Sequence, residues 1–352
     1  MESRQLVYLR TDGNETIATG HLMRCLTIAR ALRAQNAAPV FLLSDETSVS
    51  LLQSMMTLEE KAERAFPIIH LQTDYQDPER EISTMQKVLS SHSVSYLLVD
   101  SYFVTERYLS AMKQLCRVAY MDDLQAFDYP VDLVINYDMI VDTGFYQKAG
   151  TVFAGGAYTP LREQFSRCPY HVWNEVKDLF VSTGGTDPFN IAGSLAAVLL
   201  ASDDFQDVCI HILTGPMHAH RAELEALSKQ EERILLHENV TEMAALMSEC
   251  DLAFSAGGTT LYELCAVGVP AVSFSMADNQ IPGAQAFDQA GLIPWAGDIR
   301  TDSGFFDRAY EKLLALAQNP ALRKEQSVRM RMAIDGAGAD RIAAELLSPP
   351  PA

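Results

Sequence analysis

"LVYLRTDGNETIATGHLMRCLTIARALRAQNAAPVFLL", Leu6 to Leu43, contains one complete strand–helix–strand period. LVYLR and APVFLL are short β-rich runs. Between them Leu22, Leu26, Ala29 and Leu32 keep roughly helical spacing, which predicts a helix from His21 to Ala34. The same alternation continues almost to the end of the chain and implies parallel sheets covered by helices. In the first half, strands are predicted at Leu6 to Arg10, Pro39 to Leu43, Ile68 to Leu71, Tyr96 to Asp100, Val118 to Asp122, Leu133 to Asn136 and Val152 to Ala154. In the second half they fall at Leu179 to Ser182, Cys209 to Thr214, Ile234 to His237, Leu252 to Ser255 and Ala271 to Ser275.

So many strands exceed one comfortable sheet, and 352 residues exceed one hydrophobic core, so the α/β fold expected is two Rossmann-like domains with parallel sheets facing across a cleft. Periodicity lapses between Gly155 and Asp178, which places the boundary near Arg162. The domains expected are 1–161 and 162–335, followed by a C-terminal helix and tail over 336–352 whose terminal SPPPA is expected to fray.

The formal charge of −19 repels phosphate backbones and anionic membranes at long range, and the basic residues Arg323, Arg329 and Arg331 are too interrupted to form a patch. No nucleic-acid or membrane partner is therefore expected. MESRQLVYLR is too short an apolar run for a signal peptide, no window approaches a membrane span, and the six cysteines are scattered. A cytoplasmic protein with reduced, mostly buried thiols is expected, working as a monomer or weak homodimer.

In parallel α/β sheets ligands collect at the carboxyl ends of strands. In the second half, Ser255-Ala256-Gly257-Gly258-Thr259 follows a strand and opens a helix near Thr260. Glycines admit close backbone approach and a helix N-terminus favours an anion, so this stretch is a candidate diphosphate cradle, with Glu263 one turn on as a partner for a ribose diol. The same residues also fit a plain tight turn with Glu263 solvated. Gly184 and Gly185 offer a second close approach, while Asp187-Pro188 reads equally as an N-cap with Pro at the first helical position or as ligand contact. Asn239 and Val240 present backbone groups suited to a base edge; alternatively Asn239 or Thr241 caps the next helix.

In the first half, His21 opens a helix whose positive end favours the neutral imidazole, able to accept a proton. Arg10 and Asp12 either pair to shape the first loop, or Asp12 orients His21. His218 and His220 read as surface residues, and Asp122-Asp123 at a strand end carries no metal motif, so neither metal nor cofactor is expected.

SAGGTTLYELCAVGVPAV resembles the nucleotide-sugar signature of the two-domain glycosyltransferase superfamily with the GT-B fold. RTDGNETIATGHLMRCLTIA, VDSY, STGGTDPFN, SAGGTTLYE and ADNQ together resemble the UDP-2,4-diacetamido-2,4,6-trideoxy-β-L-altropyranose hydrolases of pseudaminic acid biosynthesis, whose wider group includes spore-coat polysaccharide proteins. These motifs run from Arg10 to Gln280, and IDGAGADRI is also similar. The resemblance implies that His21 is the catalytic base, that Tyr102 and Asn279 line the sugar site, that the Ser255 to Thr259 loop, with Gly257 and Gly258, holds the diphosphate and that Glu263 contacts the ribose. Beside these, Arg10, Asp12, Gly20 and Gln280 are expected on the sugar side, and Gly184, Gly185, Asn239 and Val240 on the UDP side. The activity implied is inverting, metal-independent hydrolysis of a UDP-amino-deoxy sugar, serving nonulosonic acid synthesis and flagellin glycosylation.

The family commonly has Ala-Ser after R-x-D and a second glycine before Gly-His, whereas this chain has Gly13-Asn14 and Ala18. A one-base site suits this chemistry. Most glycosidases need a carboxylic acid to protonate a poor leaving group, whereas a nucleoside diphosphate leaves as a stabilised anion. The rival readings are a glycosyltransferase, of whose usual apolar or basic acceptor patch the sequence gives little sign, and an idle nucleotide-sugar binding protein.

Overall fold

A computed structural model describes residues 4–349, so the end of SPPPA and the first three residues lie outside the described residues. The chain divides into two compact units, Met1–Leu161 together with Ala337–Ala352, and Arg162–Gly336.

The first unit holds strands β1 (Leu6–Thr11), β2 (Ala38–Leu43), β3 (Ile68–His70), β4 (Val94–Asp100), β5 (Arg117–Met121), β6 (Leu133–Asn136) and β7 (Thr151–Ala154). They form one sheet in the order β3-β2-β1-β4-β5-β6-β7, parallel throughout. The second unit holds β8 (Asp178–Ser182), β9 (Cys209–Thr214), β10 (Ile234–Glu238), β11 (Leu252–Ala256), β12 (Ala271–Ser275) and β13 (Trp295–Asp298), in the parallel order β10-β9-β8-β11-β12-β13. Helices cover both faces of a parallel sheet, so its central strands are almost uniformly apolar, as FLL and YLLV are here.

In each unit the strand order reverses once, between β1 and β4 and between β8 and β11. Loops leaving the carboxyl ends of those two strands diverge to opposite faces, which opens a crevice where such folds bind ligands.

Strand β13 was not predicted. Pro294 and Gly297, the latter at φ +119°, make WAGD read as a turn, yet Trp295 Nε1 donates to Ser275 Oγ at 3.1 Å and the segment pairs with β12. The C-terminal helix Gly338–Leu346, set apart in the sequence reading, belongs to the first unit. Its Ile342, Ala343 and Leu346 share an apolar layer with Leu22, Leu26 and Ile28 of the helix Gly20–Ala34. Gly338 makes this docking possible, since a Cβ there would lie 2.2 Å from the Thr159 carbonyl oxygen. No helix among the described residues is long and apolar enough to cross a membrane. All six cysteines are free, and Cys25, Cys168, Cys250 and Cys265 are buried.

A buried ionic network fixes the loop after β1. Arg10 pairs bidentately with Glu81 at 2.7 Å and also contacts Asp12; Glu81 further accepts from the Thr73 and Tyr108 hydroxyls at 2.8 Å. Asp12 in turn accepts from Ser44 N and Oγ at 2.8 and 2.7 Å. Burial pushes the Glu81 carboxyl up, but Arg10 and the hydroxyl donors outweigh it and hold it below its ordinary value. Its contribution to stability is therefore complete above the ordinary carboxylate range and declines as pH falls toward the lower folded-state value. Glu81→Ala strands a buried guanidinium and is expected to destabilise the first unit by about 3–5 kcal/mol, read from denaturant unfolding.

Candidate functional site

The loops that flank the strand-order reversal in the first unit carry His21 and Tyr102. His21 lies in the first turn of the helix Gly20–Ala34, whose N-terminus has no side-chain cap. Gly20 beside it faces open space. The His21 ring is only 4% exposed, and neither ring nitrogen has a hydrogen-bond partner. Tyr102, half exposed beyond β4, meets it edge-on with ring centroids 4.4 Å apart. A buried polar atom without a partner is costly, and the His21 imidazole has two of them.

One turn further, Arg24 spends its guanidinium on three acceptors. Nε and Nη2 donate to Asp100 at 2.6 and 2.5 Å, Nη1 and Nη2 to Asp123 at 2.8 and 2.9 Å, and Nη1 to the Tyr137 hydroxyl at 2.7 Å. This fork ties the loops after β4, β5 and β6 to the helix after β1. Burial pushes the Asp100 carboxyl up, yet the Arg24 guanidinium overrides it and keeps it below the ordinary range. The sequence reading quoted Arg24 and Asp100 inside motifs and assigned them no role. The legible signal was an acidic residue closing the apolar run YLLVD.

Arg10 and Asp12 are 3% and 2% exposed, and their polar atoms are engaged with Glu81, Ser44 and each other, which shapes the loop after β1. Within that loop Asn14 Oδ1 accepts from Thr16 N and Ile17 N, and Ala18 sits at φ +57°, a left-handed conformation that glycine adopts more cheaply. Asp122 is not a spare ligand either, since Tyr129 and Tyr146 donate to it at 2.9 and 2.6 Å.

In the second unit, the loops after β8, β11 and β12 converge. A Cβ on Gly257 would stand 2.7 Å from the Gln280 carbonyl oxygen, and one on Gly184 would reach the Met276 methyl at 3.5 Å. Gly257 is therefore fixed by close backbone approach. A Cβ on Gly185 or Gly258 would meet nothing within 4 Å, and Gly258 and Thr259 are exposed. The helix Thr259–Val267 has neither a side-chain cap nor an acidic residue in its first turn, so its N–H groups are available to an anion.

The other glycine loop differs. Asp187 accepts from Ile191 N and Ala192 N at 2.8 and 2.9 Å, so the helix Ile191–Leu200 already carries a carboxylate at its N-terminus. That helix starts at Ile191, so Pro188 is not its first residue, contrary to the sequence expectation. His218, expected on the surface, is buried with Nε2 3.5 Å from Asp187 Oδ2 and 3.5 Å from Thr183 Oγ1. Its ring supports the β8 loop from beneath.

Ser255 is buried inside β11 and its hydroxyl is 3.2 Å from the Ala256 carbonyl, which leaves its side chain away from the loop surface. Glu263 pairs with Arg162 at 3.4 Å; burial pushes its carboxyl up and Arg162 partly opposes this. Asn239, at φ +51°, and Val240 follow β10. Neither Asn239 nor Thr241 caps the helix Met243–Ser248. Gln164 does that work, accepting from Ala244 N and donating to the Thr241 carbonyl at 2.9 Å each. Asn279 is exposed, while the Gln280 amide oxygen accepts from Met276 N at 2.9 Å and so closes its own loop. No group of three or more His, Cys, Asp or Glu side chains among the described residues is arranged to hold a metal ion.

No family model matches the chain. It is similar to the uncharacterized protein MJ1062 of Methanocaldococcus jannaschii, 24% identical over 279 residues and 74% of this chain. It is also similar to the spore coat polysaccharide biosynthesis protein SpsG of Bacillus subtilis, 27% identical over 221 residues and 61% of this chain. The matches cover 54% and 64% of those proteins, so the chain spans less than two thirds of the length of either. Among solved structures, MurG of Acinetobacter baumannii superposes with a TM-score of 0.68 at 14% identity, covering 97% of this chain and 99% of that one. Spinosyn rhamnosyltransferase SpnG, in complex with thymidine diphosphate, gives 0.59 at 15%, covering 97% and 100%. The chain has the GT-B α/β fold of two Rossmann-like units.

Gly257→Ala pushes a methyl into the Gln280 backbone and shifts the loop that opens onto the free helix N-terminus. Overpacking of this kind is expected to destabilise the second unit by about 1–3 kcal/mol, read from denaturant unfolding.

Proposed function

We propose that this chain hydrolyses a UDP-activated 2,4-diacetamido-2,4,6-trideoxy hexose at its anomeric carbon, releasing UDP and the free sugar for nonulosonic acid synthesis. The observation that carries the reading is His21, a buried imidazole at a strand-order reversal with both nitrogens lacking a partner. Supporting it, the second unit offers an uncapped helix N-terminus behind Gly257 and Gly258, chemistry suited to a diphosphate. SpsG is named for polysaccharide biosynthesis, and SpnG holds a nucleoside diphosphate, both in keeping with a nucleotide-sugar substrate.

In the step proposed, a water oxygen attacks the anomeric carbon as His21 takes one of its protons. The bond from that carbon to the diphosphate oxygen breaks on the opposite face, its electron pair leaves with UDP, and configuration inverts. The His21 proton then passes to solvent. Developing charge on the leaving oxygen is met by the N–H groups at Gly258 and Thr259, so no carboxylic acid is required to protonate it. The resemblance assigns Tyr102 and Asn279 to the sugar and Glu263 to the ribose diol.

A transferase reading has one observation in its favour. Met23, Leu124 and Ile140, each about half exposed, carry apolar surface on the helix after β1 and the loops after β5 and β6. In that reading an acceptor hydroxyl takes the place of water.

The test is UDP release from purified protein with a panel of UDP-2-acetamido and UDP-2,4-diacetamido sugars, with and without candidate acceptors. Acceptor-free release is expected, reduced at least 100-fold in His21→Ala while UDP affinity is kept, general-base removal being worth about 10²–10⁴. Glu263→Ala is expected to do the reverse, weakening UDP binding more than it slows turnover of bound substrate. Release only in the presence of an acceptor would select the transferase, and full activity in His21→Ala would remove the base.

A further inference from the structure

A groove in the first unit opens beside the amino end of β3, at the opposite end of the sheet from the loops that carry His21 and Tyr102. It encloses about 920 Å³, a volume suited to a small molecule. The second half of the helix Glu46–Met55 lines it with Ser50, Gln53 and Ser54, and the segment that begins with the short helix Leu58–Ala62 adds Lys61 and Arg64. Met56 and Phe66, both largely buried, supply an apolar floor, and the Phe41 ring fixes Phe66 edge-on with centroids 6.2 Å apart.

The charge of this groove is opposite to that of the chain. Glu60 is the one carboxylate that lines it, and it is already spent, since Arg30 Nε and Nη2 donate to it at 2.7 and 2.9 Å and Thr57 N donates at 2.8 Å. The Arg30 hydrogen bonds above all hold the Glu60 carboxyl below its ordinary value, so it stays ionised and committed to Arg30. Glu63 next to the groove is paired with Arg33. Lys61 and Arg64 have no ion-pair partner among the described residues, which leaves two uncompensated positive charges in a protein of charge −19.

Arg64 also stands where its backbone is costly. Arg64 N donates to the Lys61 carbonyl at 3.2 Å and Ala65 N to the Glu60 carbonyl at 2.9 Å, the paired bonds that end a helix through a left-handed residue. Arg64 is that residue, at φ +49°, a position that glycine fills more cheaply. Folding alone does not call for a long cation at a glycine position, beside a second unpaired cation and an apolar floor.

We propose that this groove binds a small phosphomonoester, with its phosphate on Lys61 and Arg64, its ring or apolar body against Met56 and Phe66, and its polar groups toward Ser50, Gln53 and Ser54. Two uncompensated cations match a phosphate dianion better than the single charge of a carboxylate, and a guanidinium offers the fork that phosphate oxygens accept. The proposal is independent of the chemistry assigned to His21, because no residue of the groove belongs to that site.

The test is calorimetric titration of the whole chain with phenyl phosphate, inorganic phosphate and benzoate. Phenyl phosphate is expected to bind about tenfold more tightly than inorganic phosphate, which lacks the ring, and than benzoate, which lacks the second charge. Lys61→Ala and Arg64→Gly are each expected to weaken phenyl phosphate about tenfold. Arg64→Gly puts glycine at the left-handed position, so its thermal unfolding midpoint is expected to equal or exceed that of the unsubstituted protein, and its loss of binding then has no origin in a damaged fold. Phenyl phosphate binding that survives both substitutions would place the phosphate elsewhere, as at the loop after β11, and overturn the inference. No binding by the unsubstituted protein, or equal affinity for benzoate or inorganic phosphate, would overturn it as well.

Discussion

Arg24 is the constraint on which the first unit's site depends. A guanidinium taken wholly out of water is tolerated only when its donors are all met, and here the acceptors come from three loops that follow three different strands. The demand for five acceptors therefore does geometric work, drawing the carboxyl ends of β4, β5 and β6 onto the helix that begins at Gly20. His21, one turn earlier on that helix, inherits a fixed position from this neighbour. The Arg10–Glu81 pair does the same for the loop leading into the helix.

On the proposed function, the second unit binds an anion without a cluster of cations. In a chain with a charge of −19, two helix N-termini flank its strand-order reversal, and they are treated in opposite ways. Asp187 fills the one after β8, whereas the one after β11 is left open behind Gly257 and Gly258. On the proposed function, the carboxylate already seated at one terminus would direct an incoming diphosphate to the other, where backbone donors would carry the anion.

Much of the fold was legible because parallel strands buried on both faces leave unbroken apolar runs, and loops with Gly, Asp and Asn punctuate them. The positions of His21 and the Gly257–Thr259 loop follow from the same rule, since each lies where the chain passes from a strand's carboxyl end into the next helix. What the sequence hid were contacts between residues far apart in the chain. Arg24 and Asp123 are separated by 99 positions and Gln164 and Ala244 by 80, and no local pattern announces either pair. The loop histidine His218 went astray for the same reason, because its burial depends on Asp187, which the turn at φ +40° brings back beneath the glycines. Strand β13 escaped because a glycine at positive φ and a preceding proline look like a turn until a neighbouring strand supplies the ladder.

The central claim is that water, handled by His21, attacks carbon and leaves phosphorus untouched. The most direct measurement is turnover of a UDP-2,4-diacetamido sugar in H₂¹⁸O without acceptor, with the products read by mass spectrometry and the first-formed sugar anomer by NMR. The account predicts one ¹⁸O on the anomeric carbon of the released sugar, none on UDP, and an inverted first-formed anomer. Label in the phosphate, or retention of configuration at carbon, would contradict it.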